Sequence, residues 1–146
     1  MELLGFDYPD DLHYWLERDM WVKPLPDGGM RVGITPFGVH LSGSFFMCRP
    51  KPVGTELAQG QTLAVVELNK SVVTVKTPVS GQVRAVNPRL ADTPELIEQD
   101  PYGSGWLAEL TPSDWQSDLQ ALHHGPTLAV AATARMQLEP LDPQSP

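Results

Sequence analysis

The chain is short of cysteine, of basic residues and of long apolar runs, and each shortage closes off a class of function. One cysteine in 146 residues, Cys48, makes no internal disulfide and no multi-cysteine metal site. A reducing, cytoplasmic setting is the expectation that goes with this usage. Cys48 lies in FFMCRP, an apolar strand-like run where a buried, inert thiol is expected. Lys and Arg number 10 against 18 Asp and Glu, a formal net charge of -8. Phosphate binding needs clustered cations, so nucleic acid and anionic membrane are not expected as partners, whereas a basic protein surface is. No apolar run approaches the roughly 20 residues that span a bilayer. MELLGFDYPDD has neither the basic start nor the apolar stretch of a secretory signal. His123 and His124 are adjacent, so on a helix they point apart and do not chelate one metal; a solvated pair at a helix C-terminus is the expectation. With scattered carboxylates, no nucleophile pattern and no Gly-rich phosphate loop, no catalytic residue and no metal ligand is expected.

Turn formers are plentiful instead. With 15 Pro, 12 Gly and 41% hydrophobic residues, the chain suits one folded domain rich in turns. Leu12, Trp15, Leu16 and Asp19, following Asp10 as N-cap, predict a short amphipathic helix within an N-terminal extension, residues 1–20. Trp21-Val22-Lys23, a Pro26 to Gly29 turn and Met30 to Ile34 predict a hairpin. Thr35 before Pro36 predicts a capped helical turn ending near Gly43. Short runs at 44–48, 62–67, 71–76, 82–86 and 106–110 complete a mainly β core over 21–115. Gly43 to Pro50 echoes Gly81 to Pro88, which suggests two related halves. Thr111-Pro112-Ser113-Asp114 predicts a helix start, with a stop at Gly125, and alanine-rich 127–138 a further helix. The segment 116–146 is thus helical with a frayed PLDPQSP end.

One lysine stands out within VVELNKSVVTVKTPVSG, residues 65–81. Apolar and β-branched residues on both sides predict adjacent strands, and Asn69 is the residue suited to a left-handed turn. Lys70 is therefore placed at a hairpin tip, its ammonium carried outward on a flexible stem. On the hairpin alone, a lysine that merely solvates a turn is the ordinary reading.

The wider pattern resembles the H protein of the glycine cleavage system, within the lipoyl-domain superfamily. The matching pieces are Trp21-Val22-Lys23, Asp27-Gly28, Val32-Gly33-Ile34-Thr35, Gly43, Pro52-Val53-Gly54 and Gly60. They continue with Glu67-x-x-Lys70, Pro78-Val79-Ser80-Gly81, Val86-Asn87 and Pro101-Tyr102-Gly103-x-Gly105-Trp106. The match spans about two thirds of the chain, Trp21 to Trp115. The resemblance implies a barrel-sandwich hybrid with short flanking helices, carrying lipoate in amide linkage on Lys70. The dithiolane then supplies the chemistry and the protein supplies position. It also implies a lipoate ligase or lipoyl transferase as a partner, with Glu67, Asn69 and Ser71 as candidate recognition residues; Glu67 equally serves to keep the hairpin acidic. Gly81, Gly103 and Gly105 are expected to permit turns, and Tyr102 and Trp106 to pack the core.

The chain departs from the glycine-cleavage pattern where Leu68, Asn69 and Ser71 replace the usual neighbours of the lysine, and where Asp19-Met20-Trp21 replaces His-Glu-Trp. Its MELLGFDYPDDL opening, Trp21-Val22-Lys23-Pro24 and Arg49-Pro50 are more similar to the H-like lipoate-binding proteins of sulfur-oxidising bacteria and archaea. That makes a carrier in sulfur oxidation, working with a heterodisulfide-reductase-like complex, the first expectation. A glycine-cleavage carrier of aminomethyl groups, serving glycine decarboxylase, aminomethyltransferase and dihydrolipoyl dehydrogenase, is the second. A biotinyl carrier is disfavoured because no methionine flanks Lys70. An unmodified interaction module with the same fold is the alternative of another class.

Overall fold

The computed structural model describes residues 1–138; the PLDPQSP end lies outside them. The strands are β1 (Glu2–Leu3), β2 (Phe6–Asp7), β3 (His13–Trp15), β4 (Met20–Pro24), β5 (Met30–Ile34), β6 (Met47–Pro50), β7 (Glu56–Leu57), β8 (Thr62–Glu67), β9 (Val72–Lys76), β10 (Gly81–Val86) and β11 (Ala108–Pro112). Short helices α1 (Pro36–Ser42), α2 (Leu96–Gln99) and α3 (Trp115–Asp118) punctuate them, and α4 (Leu128–Gln137) follows. A six-stranded antiparallel sheet in the order β3-β4-β5-β11-β10-β7 faces a three-stranded sheet, β6-β8-β9; β1 and β2 form a separate hairpin. This mainly β, barrel-sandwich arrangement is the one expected. Among the described residues no helix is long and apolar enough to cross a membrane.

The main core lies between the two sheets, where Met20, Val22, Val32, Leu63, Val66, Val83 and Leu110 are buried together. Strand β4 is buried on both faces. Its Met20 and Val22 point into that core, while Trp21 between them points the other way, as strand alternation requires. The outer face is covered by a second cluster in which Tyr8, Leu12, Tyr14 and Leu16 meet Phe37 and the Leu128, Ala132 and Met136 stripe of α4. The N-terminal segment and α4 thus share one core around Trp21. An ion pair locks it: Arg135 donates to an Asp19 carboxylate oxygen at 2.8 Å and to the Leu16 carbonyl at 3.0 Å. Tyr102 and Trp106 pack against the same cluster, as expected.

The structure corrects several local expectations. No helix follows Asp10. Leu12, Tyr14 and Leu16 are buried in alternation, and His13–Trp15 pairs with β4 as a strand, ending in a single 3-10 turn over Leu16–Arg18. Period-two burial against β4 prevails over the helical spacing of Leu12, Trp15 and Leu16. Thr111 and Pro112 do not start a helix either, because they pair with Gln82 and Gly81 as the end of β11; α3 begins only at Trp115. The two echoed segments differ in structure: Gly43 caps α1 and its strand begins at Met47, whereas Gly81 itself opens β10. His123 and His124 do not end a helix, although His124 is exposed. His123 exchanges two backbone hydrogen bonds with Tyr14, and His124 stacks on His13 with ring centroids 4.2 Å apart.

The Pro78 to Gly81 turn is tied down more firmly than its sequence suggests. Asp118, only 3% exposed, accepts from the Ser80 amide at 2.6 Å and from the Ser80 hydroxyl at 3.0 Å. Gln59 adds a bond from its amide to the Ser80 hydroxyl and from its side chain to the Pro78 carbonyl. Gly81 serves close approach, since a Cβ there would strike the Thr111 carbonyl oxygen, and Gly105 does the same against the Leu96 backbone. Asp118→Ala leaves the Ser80 amide and hydroxyl without their acceptor, and a lost acceptor of this kind costs about 1–3 kcal/mol. Urea unfolding followed by circular dichroism is expected to show a loss in that range, and an unchanged midpoint would contradict the role given to Asp118.

Candidate functional site

Strands β8 and β9 pair from Thr62↔Lys76 to Glu67↔Val72, leaving Leu68 to Ser71 as the connecting loop. The loop is closed by a 2.8 Å hydrogen bond from the Leu68 amide to the Ser71 carbonyl. On its flank, the Phe46 amide donates to the Glu67 carbonyl at 2.8 Å. Leu68 is half-buried and packs against the main core, whereas Glu67, Asn69, Lys70 and Ser71 are exposed. One apolar side chain therefore pins the loop from below while its polar residues project. Asn69 does not take the left-handed conformation expected of it; Leu4 and Asp19 are the non-glycine residues with positive φ among those described. The loop has four residues, so no single position must reverse the chain.

Lys70 stands at the tip, as the sequence reading placed it. Among the described residues, no hydrogen bond and no ion pair engages its ammonium, and Glu67, three positions back, does not pair with it. The eight-residue step from Lys70 to Pro78 is the length of β9 plus its flanking residues, so the anchored Pro78 to Gly81 turn lies at the opposite end of β9 from the lysine. The motif therefore holds the base of the hairpin and does not touch its tip.

A groove of about 240 Å³ runs along the flank of this hairpin. Val66, Val73 and Val75 form one wall, Leu41 and Gly38 of α1 and Phe45 the other, with Glu17, Arg18 and Lys76 among the charged lining residues. Asp19 also lines it, and through Asp19 the groove wall is held by Arg135 of α4. The sequence reading missed this groove, because its walls come from separate segments, 38–45 and 66–75, with no shared motif. On the hairpin beside it, Val72 and Val73 are 63% and 38% exposed.

Whether these residues fit a covalently attached group is decided by the lysine's surroundings. The amine is exposed, unengaged by any described carboxylate, and supported from below by a hydrogen-bonded loop. It fits an acyl attachment. Among the described residues, no cluster of His, Cys, Asp and Glu fit to hold a metal ion is present.

Comparison with known proteins agrees with this geometry. The family model described as glycine cleavage H-protein matches residues 12–133. A glycine cleavage system H protein 2 of Aquifex aeolicus is 38% identical over 124 residues, covering 85% of this chain and 77% of the relative. The glycine cleavage system H protein of Mycobacterium avium is 43% identical over 108 residues, covering 74% and 81%. The crystal structure of a glycine cleavage system H protein from Mycobacterium marinum superposes with a TM-score of 0.67 at 35% identity, covering 73% of this chain and 87% of that one. These relatives are glycine-cleavage proteins, so they favour the second of the two expectations about pathway and lend no support to sulfur oxidation.

Beside the hairpin, Cys48 faces the core opposite Val66, and burial pushes its thiol from 9.0 up to about 12. The neutral thiol is thus favoured in the folded chain, and the stability this contributes is complete below about pH 9 and is lost as pH rises toward about 12. Alkylation by iodoacetamide at mildly alkaline pH is expected to be roughly a hundredfold or more slower in the native chain than in urea. Comparable rates in the two states would show that the thiol is open to solvent.

Proposed function

The chain belongs to the glycine cleavage H-protein family, and on that premise we propose that it is a lipoyl carrier whose arm is attached to Lys70. Members of the family carry lipoate covalently on a lysine. The observation that carries the reading is the position of Lys70: an exposed, unengaged amine on a hairpin held at its loop by Leu68 and at its base by Asp118. In this reading the chain is a substrate of other enzymes and has no catalytic residue of its own.

Lys70 reacts as the neutral amine and ends as an uncharged amide, so loading removes its charge from the hairpin tip. Glu67, Asn69 and Ser71, exposed around it, are the side chains that a lipoate ligase or lipoyl transferase meets first. When attached, the lipoyl group supplies the redox and group-carrying chemistry of its dithiolane. The protein's part is positional. The β8–β9 hairpin presents the attachment point, and the apolar wall of Val66, Val73 and Val75 gives a tethered arm a face sheltered from water. Cys48, buried, offers no competing thiol.

The relatives are named for the glycine cleavage system, which supports glycine decarboxylase, aminomethyltransferase and dihydrolipoyl dehydrogenase as partners; a cytoplasmic setting belongs to the same reading. A reconstituted mixture of these enzymes with the lipoylated chain is expected to release CO2 from glycine, and Lys70→Arg to reduce release to background. A chain that carries lipoate on Lys70 yet remains inert in this mixture would overturn the glycine-cleavage assignment. Turnover of the same preparation by a heterodisulfide-reductase-like complex would then identify the other pathway.

A further inference from the structure

The first seven residues contain two unfavourable local choices in one hairpin. Leu3 pairs with Phe6 and Glu2 with Asp7, so a two-residue loop, Leu4-Gly5, joins β1 to β2. Both loop residues have positive φ, 50° at Leu4 and 88° at Gly5. A type I′ turn requires this and selects Asn-Gly. Gly5 suits the position. Leu4 does not, because in the left-handed region its Cβ crowds the following carbonyl. Nor is it compensated by burial, since Leu4 is 60% exposed. The second choice is the Glu2↔Asp7 pair, like charges directly opposed across the ladder, which repel. The Met1 ammonium, 3.5 Å from the Asp7 carboxylate, offsets part of that repulsion.

The hairpin is nevertheless well seated. Phe6 meets Phe37 edge-on at 5.3 Å, and the Tyr8 amide donates to the Met1 carbonyl at 2.7 Å. A seated element that keeps a strained, solvent-exposed apolar side chain at its tip has the signature of a contact residue. It also precedes the part of the chain that matches the family, residues 12–133. The segment is acidic: Glu2 and Asp7, one rung behind the pair that flanks the loop, are exposed, as are Asp10 and Asp11 further along the chain.

We propose that this hairpin is a docking tooth, with Leu4 entering an apolar socket on a partner enzyme whose rim is basic and meets Glu2, Asp7, Asp10 and Asp11. Charge selects the occupant. Four carboxylates repel an anionic lipid surface and attract Lys and Arg on a protein. The partner is taken to be an enzyme that exchanges groups with the carrier, and for that choice alone the inference rests on the function proposed above.

The test uses the full, lipoylated chain as the varied substrate of each of the three glycine-cleavage enzymes. Leu4→Asn keeps the turn, since Asn tolerates positive φ, so its melting temperature is expected to equal or exceed that of the wild type. For at least one enzyme, KM for the carrier is expected to rise about tenfold with kcat unchanged, the size of a lost contact residue. Leu4→Met, which keeps the apolar tip, should restore KM. Glu2→Lys should also raise KM. That effect should shrink between about 0.01 M and about 0.15 M salt, over which the screening length falls from about 30 Å to about 8 Å. A Leu4→Asn chain that gains stability and keeps every KM would overturn the docking role and leave a merely strained turn. A wild-type carrier that none of the enzymes turns over would instead defeat the functional assignment, and the docking inference with it.

Discussion

A tethered arm is useful to several enzymes only if its anchor keeps its position while each of them handles it. With Lys70 as the proposed attachment point, the anchor is the backbone of the β8–β9 hairpin, and that hairpin is restrained at both ends. At the tip, Leu68 is drawn into the core and its amide closes the loop on Ser71. At the base, the buried Asp118 accepts two hydrogen bonds from Ser80. The mobile part begins only at the side chain of Lys70, whose flexible methylene stem gives reach without loosening the sheet. Function of this kind asks for rigid backbone under a free amine.

The same logic accounts for the ends of the chain. Strand β4 needs cover on both faces because Met20 and Val22 fill the main core while Trp21 points away from it. Tyr8, Tyr14 and α4 supply that cover, and the Trp21 indole donates to the Pro101 carbonyl at 3.0 Å. Arg135 then reaches past this layer to Asp19, which lines the groove beside the hairpin. The Tyr8 to Leu16 segment and α4 are thus continuous in packing with the groove beside the hairpin.

Much of this was legible in the amino-acid order. The β4–β5 hairpin, the Thr35-capped helix α1 and the place of Lys70 follow from local chemistry: alternation, a cap before proline, and β-branched runs around a short loop. The misreadings come from pairing and from contacts between segments, which local patterns do not carry. His13–Trp15 and Thr111–Pro112 carry helix signals but are held as strands by pairing, to the neighbouring strand β4 in one case and to β10, about 30 positions away, in the other. Asn69 is suited to a left-handed turn, yet a four-residue loop does not call for one. The groove and the Asp118–Ser80 tie are assembled from separate segments, and no local pattern announces them.

The claim on which the account rests is that a single amine, that of Lys70, takes the lipoyl group. Peptide mapping by tandem mass spectrometry, on chain purified from a lipoate-supplied host, tests it most directly. The account predicts one lipoyl adduct, on the peptide that spans residues 65–76 and assigned to Lys70, with Lys23, Lys51 and Lys76 unmodified. An adduct on another lysine, or none under conditions in which a known carrier from the same cells is loaded, would contradict it.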